Sequence, residues 1–124
     1  MKKDSQVLIV DDQEGIRKLL LETCLILGYE AEATDSGREA LDLVKKNYYQ
    51  VALIDMKMPG LDGLMTTKQI LEIAKQLKVV MITGFLDVDN DLKEISTLPQ
   101  VVAVMKKPFA LEELQKILAE NITD

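Results

Sequence analysis

Four short runs of aliphatic and β-branched residues recur along the chain, at Val7–Val10, Val51–Ile54, Val79–Ile82 and Val101–Met105. Each run is continuous and not alternating, which is the pattern of a strand covered on both faces. A weaker stretch, Tyr29–Thr34, alternates more and suits an edge strand. Between the runs the apolar residues fall at helical spacing. Ile16, Leu19, Leu20, Thr23 and Leu27 mark a first helix, and Gly28 stands where its left-handed closing residue belongs. Ala40, Leu41 and Val44 mark a second, opened by Ser36 with Glu39 three residues later, a capping-box spacing. Ile70, Ile73, Ala74 and Leu77 mark a third, Val88, Leu92 and Ile95 a fourth, and Leu111, Leu114 and Leu118 the last.

Strand and helix thus alternate five times, at about 20–30 residues per unit, which calls for a parallel sheet with right-handed crossovers and helices on both faces. The expected fold is α/β: a doubly wound five-stranded parallel sheet, flavodoxin-like (βα)5, with strand order 2-1-3-4-5. A chain of 124 residues suits one core. No repeat or linker interrupts it, so residues 1–124 are read as one domain.

Composition removes several classes of chemistry. The chain has no histidine and a single cysteine, Cys24. Histidine-based catalysis, histidine metal sites and four-cysteine zinc sites are therefore excluded. Cys24, on an apolar helix face, reads as a buried small hydrophobe. A net charge of −6 argues against direct nucleic-acid binding, which needs a basic patch. No apolar segment approaches the ~20 residues that span a bilayer, and no signal peptide follows the start. The expectation is a cytoplasmic protein away from the membrane.

Open parallel sheets bind ligands beyond the carboxyl ends of their strands, at the switch point. The first strand runs into Asp11-Asp12, the third into Asp55, the fourth into Thr83 and the fifth into Lys106-Lys107. Taken singly, an aspartate pair is a turn or cap, Thr83 a strand-end hydroxyl and the lysines a solvated pair. Taken together, three carboxylates, a hydroxyl and a lysine meet on one rim. Clustered carboxylates repel one another, and a hard divalent cation such as Mg²⁺ compensates them while keeping room for water and phosphate. A phosphoryl group there would have the cation on one side and an ammonium on another, which is what phosphoryl transfer needs. A carboxylate can itself be the nucleophile and, being metal-bound, needs no general base.

These residues resemble the receiver domain of two-component response regulators, over the whole chain. Val7-Leu8-Ile9-Val10-Asp11-Asp12 resembles that family's acidic-pair strand, and Leu53 to Gly63 (Leu-Ile-Asp-Met-Lys-Met-Pro-Gly-Leu-Asp-Gly) its phosphoacceptor strand and loop. Ile82-Thr83-Gly84 resembles the fourth-strand hydroxyl and small residue, and Lys107-Pro108-Phe109 the family's Lys-Pro-Phe. The resemblance implies Asp55 as phosphoacceptor, with Asp11, Asp12, Asp55 and the Lys57 carbonyl as ligands of Mg²⁺ (or Mn²⁺). It implies Thr83 and Lys107 as binders of the phosphoryl oxygens, leaves Lys106 solvated, and suggests a cis Lys107–Pro108 peptide. Asp11-Asp12-Gln13-Glu14-Gly15-Ile16-Arg17 with Asp55-Met56-Lys57 also resembles the single-domain receivers of sporulation phosphorelays.

One position departs from the pattern. Val104 stands where many receivers carry a Tyr or Phe that swings inward, so signalling is expected to use Thr83 and the loop around Gly84-Phe85 instead. Lys57 and Phe85 are expected to screen the attacking water and prolong the phosphorylated state.

The implied partners are a sensor histidine kinase or histidine phosphotransfer protein and a downstream protein target, with the chain a monomer or weak dimer. It would catalyse its own phosphorylation and dephosphorylation, not a metabolic reaction. Because the chain ends at Asp124, just after the last helix, no output domain is expected. A phosphorelay intermediate, a phosphorylation-dependent binding module and a receiver excised from a longer transcription regulator are the competing roles. Ile16 and Lys18 beside the acidic pair would dock a histidine-bearing bundle, and Ile16 reads equally well as core.

Overall fold

The computed structural model describes residues 3–4, 6–56, 63–84, 93–94 and 97–123. In chain order the elements are β1 (Lys3–Asp4), β2 (Val7–Val10), α1 (Glu14–Ile26), β3 (Ala31–Thr34), α2 (Gly37–Lys46), β4 (Asn47–Tyr48), β5 (Val51–Asp55), α3 (Gly63–Ile73), β6 (Lys78–Thr83), β7 (Val101–Lys106) and α4 (Leu111–Asn121). The five strands of the main sheet lie in the order β3-β2-β5-β6-β7, all parallel. Counted among themselves this is 2-1-3-4-5, the order expected. The sequence-predicted edge strand is β3. A second, two-stranded pairing of β1 with β4 was not anticipated, since neither dipeptide has a strand-like pattern.

The continuous apolar runs are explained by what lies on each face. Along β2, Leu8 and Val10 join Ala52 and Ile54 of β5 and Val79 and Met81 of β6 in one cluster, covered by Ala40 and Val44 of α2 and Ile70 and Leu71 of α3. The intervening residues Val7, Ile9, Val51, Leu53, Val80 and Ile82 form the opposite cluster, covered by Leu20 and Cys24 of α1 and Leu114 and Leu118 of α4. Successive strand residues point to opposite faces, so a strand buried on both faces has no polar position to spare. The two helix pairs, α1 with α4 and α2 with α3, therefore occupy opposite faces, as the doubly wound reading requires.

Local signals act largely as the residue types predict. Gly28 takes φ of 90°, a conformation costly for a residue with a Cβ, and closes α1. Ser36 caps α2 by accepting a hydrogen bond from the Glu39 N–H at 3.2 Å. The reciprocal half of the capping box is replaced: the Ser36 N–H donates to Thr34 Oγ1 at 3.2 Å. In the third helical stripe, α3 ends at Ile73, and Leu77 is buried from the connecting turn that leads into β6. Leu111 is exposed at the start of α4, where Ile122 completes the buried stripe of Leu114 and Leu118. Ile16 packs against the α1–α4 cluster, which favours its core role, while Lys18 is exposed and paired with Glu14 at 3.4 Å.

Val104 packs against the α2–α3 cluster and pairs in register with Met81. The register shifts between Val79 and Val80, where β7 carries the extra residue Val102, which points out at 41% exposure. The fourth stripe of Val88, Leu92 and Ile95 lies outside the described residues. Among those described, no helix is long and apolar enough to cross a membrane.

Cys24 is fully buried, and desolvation pushes its thiol from 9.0 up to about 11. An unfolded chain ionises this thiol at lower pH than the folded one does. The corresponding stability is complete below about pH 9 and is lost as pH rises towards about 11, on the order of 2–3 kcal/mol. In urea titrations across that window the advantage of the wild type over Cys24→Ala should shrink with rising pH; a constant difference would contradict this.

Candidate functional site

Parallel pairing brings the carboxyl ends of β2, β5, β6 and β7 to one edge of the sheet. Hydrogen bonds past the strand ends hold the following residues in line. The Asp11 N–H donates to Thr34 O at 3.1 Å, the Met56 N–H to Ile82 O at 2.9 Å, and the Lys107 N–H to Thr83 O at 2.8 Å. Asp11, Asp55 and Thr83 are therefore fixed by backbone, and all three are buried. Asp12 is exposed at the rim. Carboxylate oxygens of Asp11, Asp12 and Asp55 lie within 4.8 Å of one another.

Lys107 reaches into this cluster. Its Nζ lies 3.2 Å from Asp11 Oδ2 and 3.3 Å from Asp55 Oδ2, and it also donates to Gln13 Oε1. The Lys107–Pro108 peptide is cis, as the resemblance suggested. Lys106, one residue earlier, is exposed and takes no part. Of the sequence-predicted residues, the structure thus brings together Asp11, Asp12, Asp55 and Lys107, with Thr83 at the neighbouring strand end. Lys57 and Phe85 lie outside the described residues.

Two participants were not expected. Gln13 sits at the N-cap of α1, donates its backbone N–H to Asp11 Oδ1 at 2.9 Å, and offers its side-chain oxygen to Lys107. Arg17, one turn into α1, donates from Nη1 to the Asp11 carbonyl at 3.0 Å. Both belong to the stretch Asp11 to Arg17, so the signal was their place immediately after the acidic pair. Side-chain reach across to the last strand cannot be read from spacing.

The donor set fits a hard divalent cation. Asp11 Oδ1 is taken by the Gln13 N–H, whereas buried Asp11 Oδ2 has no hydrogen-bond partner among the described residues and meets only the Lys107 ammonium, as an ion pair at 3.2 Å. An ionised, fully buried oxygen facing two further carboxylates costs free energy unless a cation meets it. Oxygen ligands in partial number, with one side open at Asp12, are what Mg²⁺ takes.

A family profile for the response regulator receiver domain matches residues 7–119. The chain belongs to the response regulator receiver family. Among curated relatives, the receiver is 36% identical over 114 residues to sporulation initiation phosphotransferase F of Bacillus subtilis, covering 90% of this chain and 89% of that protein. It is 28% identical to regulatory protein AtoC of Escherichia coli, covering 92% of this chain and 24% of that longer protein. Among solved structures, chemotaxis protein CheY4 of Vibrio cholerae superposes with a TM-score of 0.83 at 27% identity, covering 98% of this chain and all of that one. The receiver thus spans nearly the whole of some relatives and about a quarter of others.

Lys107 has 18% of its side chain exposed, so its charge is well placed to offset the carboxylates. Lys107→Met, with divalent cations chelated, should lower stability to urea by on the order of 1–3 kcal/mol, because buried Asp11 and Asp55 lose a counter-charge. Unchanged or increased stability would show that Lys107 does not compensate them.

Proposed function

We propose that this receiver takes a phosphoryl group from a phosphohistidine of a sensor histidine kinase or histidine phosphotransfer protein onto Asp55, and hands it on within a phosphorelay. The observation that carries the proposal is the buried Asp55 carboxylate, clustered with Asp11 and Asp12 and 3.3 Å from the Lys107 ammonium. Burial removes competing water, and the neighbouring charges are already in place for a group that arrives with negative oxygens.

In the transfer, an Asp55 carboxylate oxygen attacks phosphorus in line with the departing imidazole nitrogen. The P–N bond breaks as the O–P bond forms, and the electron pair returns to the histidine ring. Lys107 exchanges its carboxylate contacts for a phosphoryl oxygen, and the Thr83 hydroxyl, buried at the end of the adjacent strand, donates to another. Asp11, Asp12 and Asp55, with the Lys57 carbonyl that the resemblance implies, would hold Mg²⁺ (or Mn²⁺), which would supply charge neutralisation for the phosphoryl oxygens. Hydrolysis of the acyl phosphate by water resets the site. The chain's chemistry is confined to gaining and losing this group. Its setting is the cytoplasm, as a monomer or weak dimer without direct nucleic-acid contact.

The relay role is favoured by 36% identity across nearly the full length of a protein named as a phosphotransferase. A second reading, that the chain is the receiver portion of a longer transcription regulator, is favoured by its match to about a quarter of AtoC. In either role Val104, partly buried beside Met81, has no ring to swing, and the proposed conformational readout passes through Thr83 instead.

Incubation with acetyl phosphate and Mg²⁺ should add one acid-labile phosphoryl group to the wild type and none to Asp55→Asn. Chasing the labelled protein with a histidine phosphotransfer domain should move the label to its histidine. Label retained by Asp55→Asn would overturn the acceptor assignment; label that cannot be transferred would overturn the relay role and leave direct output.

A further inference from the structure

Lys107 and a divalent cation claim the same oxygens. The ammonium lies 3.2 Å from Asp11 Oδ2 and 3.3 Å from Asp55 Oδ2. Two positive centres cannot share those oxygens at contact distance without strong repulsion in a site this buried. The ammonium therefore has to move when a cation enters, and it needs an acceptor that the cation does not take. Of its two hydrogen-bond acceptors among the described residues, Asp55 Oδ2 and Gln13 Oε1, the neutral amide oxygen of Gln13 meets that requirement.

Gln13 is held for this task from two directions. Its backbone N–H is bonded to Asp11 Oδ1 at 2.9 Å, and it forms the N-cap of α1, whose fourth residue, Arg17, is anchored to the Asp11 carbonyl at 3.0 Å. The side-chain amide is thereby kept on the rim beside the acidic cluster.

We propose that Gln13 is a positioning residue: its amide oxygen is the seat on which Lys107 rests when Asp11, Asp12 and Asp55 take up Mg²⁺. The step rests on the reading of those three aspartates as cation ligands. The contact contributes with or without the cation, but without it Lys107 would also keep its hydrogen bond to Asp55 Oδ2 and its ion pair with Asp11 Oδ2. In the cation-bound state Gln13 is the one that remains, so losing it penalises the bound state more.

The test is calorimetric titration of the unphosphorylated chain with MgCl₂. Gln13→Met keeps the length of the side chain and removes its acceptor. It should raise the Mg²⁺ dissociation constant by about threefold to tenfold, within the range of a hydrogen bond to a charged group. The decisive arm is a double-mutant cycle. In a Lys107→Met background the same Gln13→Met substitution should leave Mg²⁺ affinity unchanged, whereas loss of helix capping or of local order would weaken binding in both backgrounds. Equal weakening in both, or no weakening in the single variant, overturns the role of Gln13 while leaving the metal site intact. Heat of binding that survives in an Asp11→Asn, Asp55→Asn double variant would instead remove the metal site, and this proposal with it.

Discussion

The acidic rim depends on one constraint, the parallel pairing of β2, β5, β6 and β7 about a common direction. Parallel strands deliver all their carboxyl ends to the same edge, so residues 11, 55, 83 and 107 are neighbours although nearly a hundred residues separate the first from the last. Strands β2, β5 and β6 are buried on both faces, and a one-residue slip would exchange the side chains of the two faces and misplace the functional residue at the strand end. The packing that stabilises the sheet is thus the same packing that positions the site. The backbone bonds just past the strand ends, from Asp11, Met56 and Lys107, extend that order by one residue into the chemistry.

A cost comes with this arrangement. Buried Asp11 and Asp55, with Asp12 at the rim, gather negative charge where solvent cannot screen it well. The compensation within the chain is Lys107, supplied from the far strand and steadied by Gln13. In the proposed transfer such a lysine would pass its charge from the carboxylates to the incoming phosphoryl group. Phosphoryl transfer needs that mobility more than it needs a general base, which accords with a chain that contains no histidine.

Much of this is legible in the sequence. Of the four unbroken aliphatic runs, three are strands buried on both faces and the fourth, β7, is a partly exposed edge strand; the flavodoxin-like strand order then places the residues at their ends on one rim. Asp11, Asp12, Asp55 and Thr83 were reached in this way, and Lys107 in place of Lys106 by the resemblance of Lys107-Pro108-Phe109 to the family's Lys-Pro-Phe. Gln13 and Arg17 were not, because their role depends on where flexible side chains point, and a glutamine before a helix looks like any polar cap. The β1–β4 pairing was illegible for another reason, since two-residue strands carry no periodicity. The end of the third helix was placed too late because Leu77 keeps the stripe's spacing while belonging to the turn that follows.

The central claim is that Asp55 carries the phosphoryl group as an acyl phosphate. Borohydride reduction of the phosphorylated chain, followed by peptide mass spectrometry, tests it most directly, because the reagent converts an aspartyl phosphate to homoserine and leaves free carboxylates unchanged. Homoserine is expected at position 55 and nowhere else, in an amount matching the phosphoryl group incorporated. Homoserine at position 11 or 12, or full phosphoryl incorporation with none at position 55, would contradict it.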